Sequence, residues 1–122
     1  MVHLGGSPAN GSKGAAADFV DMYTDWCGWC KRMDKTTFSD ASVAEFVANN
    51  YYAVKMNAES SDQLLFKGQL VTPRQLTQAF GVTGFPTIVL MDQNLGNVQP
   101  VPGYRDAKGF TDLLKKYQEL VN

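Results

Sequence analysis

The 122-residue sequence has little cysteine and histidine, with two cysteines and a single histidine. It has no excess charge of one sign, since eleven Lys and Arg stand against twelve Asp and Glu. Nucleic acid is therefore not an expected partner, because its backbone is held by clustered positive charge. The longest clean apolar run, residues 87–91, is far shorter than the ~20 residues that cross a bilayer, so membrane insertion is not expected. A chain of this length, 44% hydrophobic, suits one compact domain.

The N-terminal stretch is poor in apolar residues and rich in glycine. Residues 1–17 contain four glycines together with Pro8 and Asn10, a composition that favours loop over packed structure. We predict a flexible leader over residues 1–17 and a single domain over residues 18–122. The opening has neither a basic stretch nor an apolar core, so no secretory signal is expected in this chain, although a removed signal would leave the same sequence.

Apolar spacing along residues 18–122 predicts alternating strands and helices. Strands are expected at residues 18–24, 51–56, 87–91 and 97–102, the last two as an antiparallel hairpin. Helices are expected from residue 27 to about 38, from 39 to 50, from 72 to 80 with Thr72 as N-cap and Pro73 in the first turn, and from 110 to 121. The apolar connection at residues 58–71 predicts a small element of its own. This order indicates an α/β protein with a central mixed sheet and helices on both faces.

Cys27 and Cys30, with two residues between them, limit the chemistry that is available. A structural zinc site needs four Cys or His ligands, and the chain offers these two cysteines and His3. Covalent haem needs histidine directly after the second cysteine, where Lys31 stands. A structural disulfide closing so small a loop would restrain little of the unfolded chain. The spacing therefore favours a redox pair over a zinc site, a haem attachment or a purely structural disulfide.

The expected position of the pair supports this chemistry. Cys27 would lie at the N-terminal end of a helix, where free N–H groups and the helix dipole favour a thiolate, which is the nucleophilic form. Cys30, one turn further in, is expected to be less exposed and to attack the mixed disulfide that Cys27 forms. Trp26 and Trp29 bracket the pair as a flat docking surface, with ordinary packing as an equal alternative for Trp29.

Two separated motifs resemble those of the thioredoxin superfamily. Residues 19–31, Phe-Val-Asp-Met-Tyr-Thr-Asp-Trp-Cys-Gly-Trp-Cys-Lys, resemble its active-site strand and turn, and residues 84–87, Gly-Phe-Pro-Thr, resemble its cis-proline loop. Residues 35–40 and 101–107 are most similar to the C-terminal thioredoxin-like domain of transmembrane thiol:disulfide interchange proteins and to free-standing relatives. The resemblance covers residues 18–121. It lacks the strand and helix that open a full thioredoxin, so this N-terminal βα unit is expected to be absent or degenerate and one sheet edge less protected.

The resemblance implies roles for residues around the pair. Cys27 is expected to attack the substrate and Cys30 to resolve the mixed disulfide. Pro86 is expected to follow a cis peptide bond and to face the disulfide. Substrate contacts are implied for Trp26, Gly28, Trp29, Phe85 and Pro86. Because Trp29 replaces the proline that is common between thioredoxin cysteines, the redox potential is not carried over.

Charged residues near the pair have implied roles as well. Asp21 matches a buried acid of the superfamily, and Lys55 matches the lysine that lies beside that acid. Because apolar surroundings raise the pKa of a carboxyl group, Asp21 is expected to accept the proton of Cys30. The alternative for Asp21 is a solvent-facing position on the strand. Asp34, one helical turn from Cys30, is a candidate for tuning the thiol pKa, with a solvated helix face as an equal alternative.

The sequence therefore predicts a thiol:disulfide oxidoreductase that reduces protein disulfides, without cofactor or metal. A thiol/disulfide electron-transfer partner, a monomer and a periplasmic location are expected, with the cytoplasm as the alternative location. An oxidase or isomerase using the same residues, and a non-catalytic binding module, remain as alternative functions.

Overall fold

A computed structural model describes residues 17–121, which form one mixed sheet, a small hairpin and four helices. Most of the predicted leader, including His3, and Asn122 lie outside the described residues. Ala17, which we assigned to the leader, is the first residue of a strand. The strands are β1 Ala17–Tyr23, β2 Tyr51–Asn57, β3 Leu64–Phe66, β4 Gln69–Val71, β5 Thr87–Asp92 and β6 Gln99–Pro102. The helices are α1 Gly28–Thr36, α2 Ala41–Asn50, α3 Pro73–Ala79 and α4 Ala107–Val121.

Side-chain caps determine where three of the helices begin. The Cys27 side chain caps α1, and Asp40 caps α2 by accepting the backbone N–H groups of Ser42 and Val43. At α3, Thr72 and Gln75 form a reciprocal capping box, with proline in the first turn. These caps satisfy N–H groups that have no partner inside the helix. The predicted starts of α2 and α3 are confirmed.

The main sheet has the strand order β2-β1-β5-β6, with β1 and β2 parallel and the other neighbours antiparallel. The predicted hairpin of the last two strands is confirmed as β5 and β6. The apolar connection at residues 58–71 contains the antiparallel pair β3–β4, as the sequence indicated. Within the described residues, β2 is an edge of the sheet.

Two apolar cores lie on opposite faces of this sheet. Val20 and Met22 of β1 pack on the face that carries α3, together with Leu76 and the β3 residue Leu64. Alternate β1 residues such as Phe19 pack on the other face, against residues of α1, α2 and α4. Helices therefore cover both faces, as predicted. One expectation was wrong: the apolar spacing that predicts α4 includes Leu120, but Leu120 is 74% exposed, whereas Val121 beside it packs against the core.

Candidate active site

Cys27 and Cys30 form a disulfide where β1 leads into α1, with their Cα atoms 5.3 Å apart. A short turn follows β1, in which the Cys27 N–H donates to the Thr24 carbonyl over 3.3 Å. Cys27 then caps the helix, because its Sγ accepts the backbone N–H of Cys30 at 3.1 Å. The N-terminal end of a helix stabilises negative charge, so this position favours a thiolate on Cys27 once the disulfide is opened.

The two sulfur-bearing residues are equally buried. Cys27 and Cys30 are each 5% exposed, so the expectation that Cys30 is less exposed than Cys27 is wrong for the disulfide form. What separates them is their place on the helix, since Cys27 precedes the first turn and Cys30 lies within it.

Asp21 is buried beneath α1, so the solvent-facing alternative is wrong. It is 6% exposed and lies on the same side of β1 as Phe19. Burial raises its pKa from 3.8 to about 6, while the nearby Lys55 lowers this pKa and the Asp34 carboxylate raises it. A carboxyl group with a pKa near 6 exchanges its proton close to neutral pH.

Lys55 and Asp34 close the approach to this carboxyl. Lys55 lies opposite Asp21 in the parallel register of β1 and β2, and its Nζ donates to the Asp34 Oδ2 at 2.5 Å. A cavity of about 210 Å³ between α1 and β2 is lined by Asp21 with Lys55 and Asp34, as well as by Phe38 and Ala53. The structure thus brings together the three charged residues singled out from the sequence. It also pairs Asp34 with a cation, which offsets the charge that would oppose thiolate formation.

The loop before β5 lies beside the cysteine turn. The peptide bond between Phe85 and Pro86 is cis, and Pro86 is buried. Its carbonyl accepts the Gly103 N–H at 2.9 Å. The rings of Phe85 and Trp26 meet edge to face with their centroids 5.9 Å apart. These contacts place the proline loop against the residue that precedes Cys27.

The two tryptophans flank the disulfide at the surface, Trp26 being 66% exposed and Trp29 58% exposed. The indole N–H of Trp26 donates to Glu59 Oε2 at 3.1 Å. Trp29 packs at a tilt against Tyr104, with ring centroids 5.5 Å apart. Interior packing therefore does not account for either residue. Gly28 is exposed between them, and a side chain there would meet no atom within 4 Å.

Sequence reasoning missed Glu59 and Tyr104. Glu59 lies just after β2, in the connection whose role was unassigned, and Tyr104 belongs to the 101–107 motif but was given no function. Both are distant from the cysteines along the chain. The motif at residues 101–107 was the available signal for Tyr104, whereas no local pattern marks Glu59.

Residues 17–121 contain neither a cluster of metal-binding side chains nor a membrane-spanning helix. No group of three or more His, Cys, Asp or Glu side chains there could hold a metal ion. No helix in that range has the length and hydropathy needed to cross a membrane.

Comparisons with known proteins agree with this geometry. A sequence family described as thioredoxin-like domain matches residues 7–118. The thiol:disulfide interchange protein DsbD of Haemophilus influenzae (strain 86-028NP) is 34% identical over 99 residues, covering 79% of this chain and 15% of that protein. Protein disulfide isomerase-like 5-3 of Oryza sativa subsp. japonica is 32% identical over 98 residues, covering 80% of this chain and 20% of that protein. The chain thus spans a small part of the length of these relatives.

Solved structures show the same fold. A mutant thioredoxin from Halobacterium salinarum superposes with a TM-score of 0.58 at 27% identity, covering 88% of this chain and 79% of that one. The oxidised C-terminal domain of Neisseria meningitidis DsbD superposes with a TM-score of 0.61 at 18% identity, covering 83% of this chain and 79% of that one. The match over residues 7–118, the mixed sheet and the disulfide at the start of α1 lead to one conclusion: the chain belongs to the thioredoxin-like family.

Proposed function

We propose that this chain is a thiol:disulfide oxidoreductase that reduces disulfides in protein substrates. The observation that carries the proposal is the Cys27–Cys30 disulfide at the N-terminal end of α1, flanked by exposed aromatic side chains. Relatives named thiol:disulfide interchange protein and protein disulfide isomerase support it.

The reaction uses the reduced form of the pair. The Cys27 thiolate attacks one sulfur of the substrate disulfide, a Cys27–substrate bond forms, and the other substrate sulfur leaves with the electron pair. Cys30 then loses its proton and attacks the Cys27 sulfur. The Cys27–Cys30 disulfide forms and the second substrate thiolate departs, so the substrate gains two electrons. A dithiol partner returns the pair to the reduced state.

Asp21 accepts the proton of Cys30 in the second step. This role is supported by its burial beneath α1 and by a pKa raised to about 6. Lys55 stabilises the ionised carboxylate, and Asp34 tunes the site by holding the ammonium group of Lys55. Asp21 and Lys55 thus assist the chemistry, while the cysteines carry out the exchange.

Substrate lies across the surface around the disulfide. Trp26 and Phe85 form one side of this surface, and Trp29 the other. Gly28 leaves open space beside Cys27, and Phe85 and Pro86 offer backbone groups to the approaching chain. The exposed aromatic rings lose water on contact with a polypeptide, which favours docking.

We propose that the protein is a monomer and that it acts in the periplasm. The likeness to the thiol:disulfide interchange protein DsbD supports this location, and the cytoplasm is the alternative. Its partners are disulfide-bearing proteins and a thiol/disulfide electron donor.

Turnover of a quenched peptide disulfide with dithiothreitol as donor tests the function. Cys27→Ser should abolish turnover and form no mixed disulfide. Cys30→Ser also lacks the disulfide but keeps the nucleophile, so it should accumulate the mixed disulfide and serves as the matched control. Full turnover by Cys27→Ser would overturn the proposal.

The Asp21 role has a separate readout. In Asp21→Asn, release of a preformed mixed disulfide should slow by roughly tenfold or more near neutral pH and lose the rise with pH that the carboxyl confers. The first attack by Cys27 should change much less. An unchanged pH profile for release would exclude Asp21 as the proton acceptor.

The direction of electron flow is tested by equilibrium with glutathione buffers. A potential near roughly −270 mV indicates a reductase, whereas one near roughly −120 mV indicates an oxidant.

The exposed Trp26, Trp29 and Phe85 also support a second candidate function, a binding module without turnover. This candidate requires binding that is unaffected by the loss of both thiols. A pair that never exchanges with glutathione would favour it.

A further inference from the structure

Charge is distributed asymmetrically around the disulfide, with cations on one side and carboxylates on the other. On one side, α1 presents Lys31, Arg32 and Lys35 to solvent, and Arg32 lies beside Trp29. We call Trp29, Tyr104 and these cations the basic flank. On the opposite side lie the exposed carboxylates Asp25 and Glu59, beside Trp26.

The cations of the basic flank are available to a partner. Within residues 17–121, the recorded ion pairs are Lys55–Asp34 and Lys108–Asp112, so no carboxylate lies within ion-pair distance of the flank's cations. Asp34, the carboxylate of α1, is already bound to Lys55. On the opposite side, neutral donors hold the two carboxylates without cancelling their negative charge, since Asp25 accepts from the Asn57 amide at 3.4 Å and Glu59 accepts from the Trp26 indole.

The aromatic part of the basic flank is held in place. The Tyr104 hydroxyl and Thr36 Oγ1 share a hydrogen bond of 2.8 Å, which ties the loop before α4 to α1. Tyr104 in turn packs against Trp29, and the Arg32 guanidinium lies 5.7 Å from the centre of the Trp29 ring. A guanidinium beside an aromatic face keeps donors free for a carboxylate, so the cation is positioned without being neutralised.

From this arrangement we infer that the basic flank selects polypeptide disulfides whose cysteine is followed or preceded by acidic residues. The inference rests on the proposed function and names its substrate class. Carboxylates of the substrate pair with Arg32 and the neighbouring lysines, while its apolar atoms cover Trp29 and Tyr104. Because Trp29 stands between the two cysteines, a chain bound there lies against the reacting sulfurs.

Charge complementarity of this kind acts mainly on the rate of encounter, so it appears in kcat/KM. For a few exposed ion pairs, we expect an acidic peptide disulfide to be reduced with a kcat/KM roughly fivefold higher than that of a neutral peptide. A basic peptide should be reduced more slowly than the neutral one. The preference should shrink at about 0.5 M NaCl, where exposed charges are strongly screened.

The test compares three quenched peptides with the same disulfide and acidic, neutral or basic neighbours. Arg32→Glu should abolish or reverse the acidic-to-neutral ratio of kcat/KM. Arg32→Lys should keep most of it, because the charge is conserved. Taking the ratio within each variant cancels any change in folding or in cysteine chemistry.

Lys115→Glu, on α4, is the matched control. The Lys115 ammonium also lies 5.7 Å from the centre of an aromatic ring, which belongs to Phe46 of α2. The substitution makes the same change in net charge away from the basic flank and should leave the ratio as in the wild type. Equal rates for the acidic and neutral peptides in the wild type would overturn the inference, as would equal effects of Arg32→Glu and Lys115→Glu. Failure to reduce any peptide would instead overturn the proposed function.

Discussion

The buried carboxyl of Asp21 makes the stability of the oxidised protein depend on pH. Its pKa is about 6 in the folded protein, against an ordinary value of 3.8. Below the ordinary value, both the folded and the unfolded chain hold the proton, and Asp21 adds no pH dependence. Between the two values, the unfolded chain releases the proton while the folded chain keeps it, so the free energy of unfolding falls as pH rises. Above about 6, both states are ionised and the loss is complete.

The size of this loss follows from the two pKa values. At about 1.36 kcal/mol per pKa unit, the rise from 3.8 to about 6 corresponds to about 3 kcal/mol of lost stability at neutral pH. Asp21→Asn replaces the acid by a neutral group of the same shape. The variant should therefore be more stable than the wild type at about pH 8 by up to about 3 kcal/mol, and about equal to it below pH 4.

Urea denaturation of the oxidised protein from about pH 3.5 to about pH 8 measures this difference. The exposed Asp62 provides the control, since Asp62→Asn should give no such pH-dependent gain. If the advantage of Asp21→Asn is the same at both ends of the range, the reasoning about burial is refuted.

Three further predictions concern the same fold. Lys55→Gln removes the attraction that lowers the pKa of Asp21 and should raise this pKa further, whereas Asp34→Asn should lower it; carboxyl titration by NMR measures both. Tyr51→Phe deletes a buried hydroxyl that donates to the Leu114 carbonyl of α4 at 2.6 Å, and should lower the free energy of unfolding by about 1–2 kcal/mol. Urea denaturation measures this loss, and an unchanged urea midpoint would show that the hydrogen bond does not stabilise the fold. Gly81→Ala places a side chain at a φ of 71° in open space, so its cost of about 1 kcal/mol should come from the backbone alone; a gain in thermal stability would show that this reason is wrong.

Much of the fold could be predicted from local patterns. The cap at Thr72, the proline in the first turn of α3 and the hairpin of the last two strands depend on chemistry that acts within a few residues, and the structure has them as expected. The apolar residues of the 58–71 connection likewise indicated a small element. Leu120 shows the limit of periodicity, which groups residues on one side of a helix without showing which of them contact the core.

Only the tertiary structure decided how deeply the residues of the site are buried. The sequence placed Asp21 in an apolar strand, but whether it met water depended on α1 folding back over β1. Local order could not show that Cys27 and Cys30 are equally buried, because the exposure of a side chain depends on the whole folded chain.

The cysteine pair could be predicted from local sequence, whereas the residues around it could not. Two cysteines at this spacing, expected at the start of a helix, by themselves indicated a redox pair, because the geometry needed is local, and the structure joins them in a disulfide. Glu59 against Trp26 and Tyr104 against Trp29 are long-range contacts, made only when the sheet brings separate loops to one edge. Which residues meet the substrate is therefore a property of the folded chain, since side chains far apart in sequence are brought together only by packing.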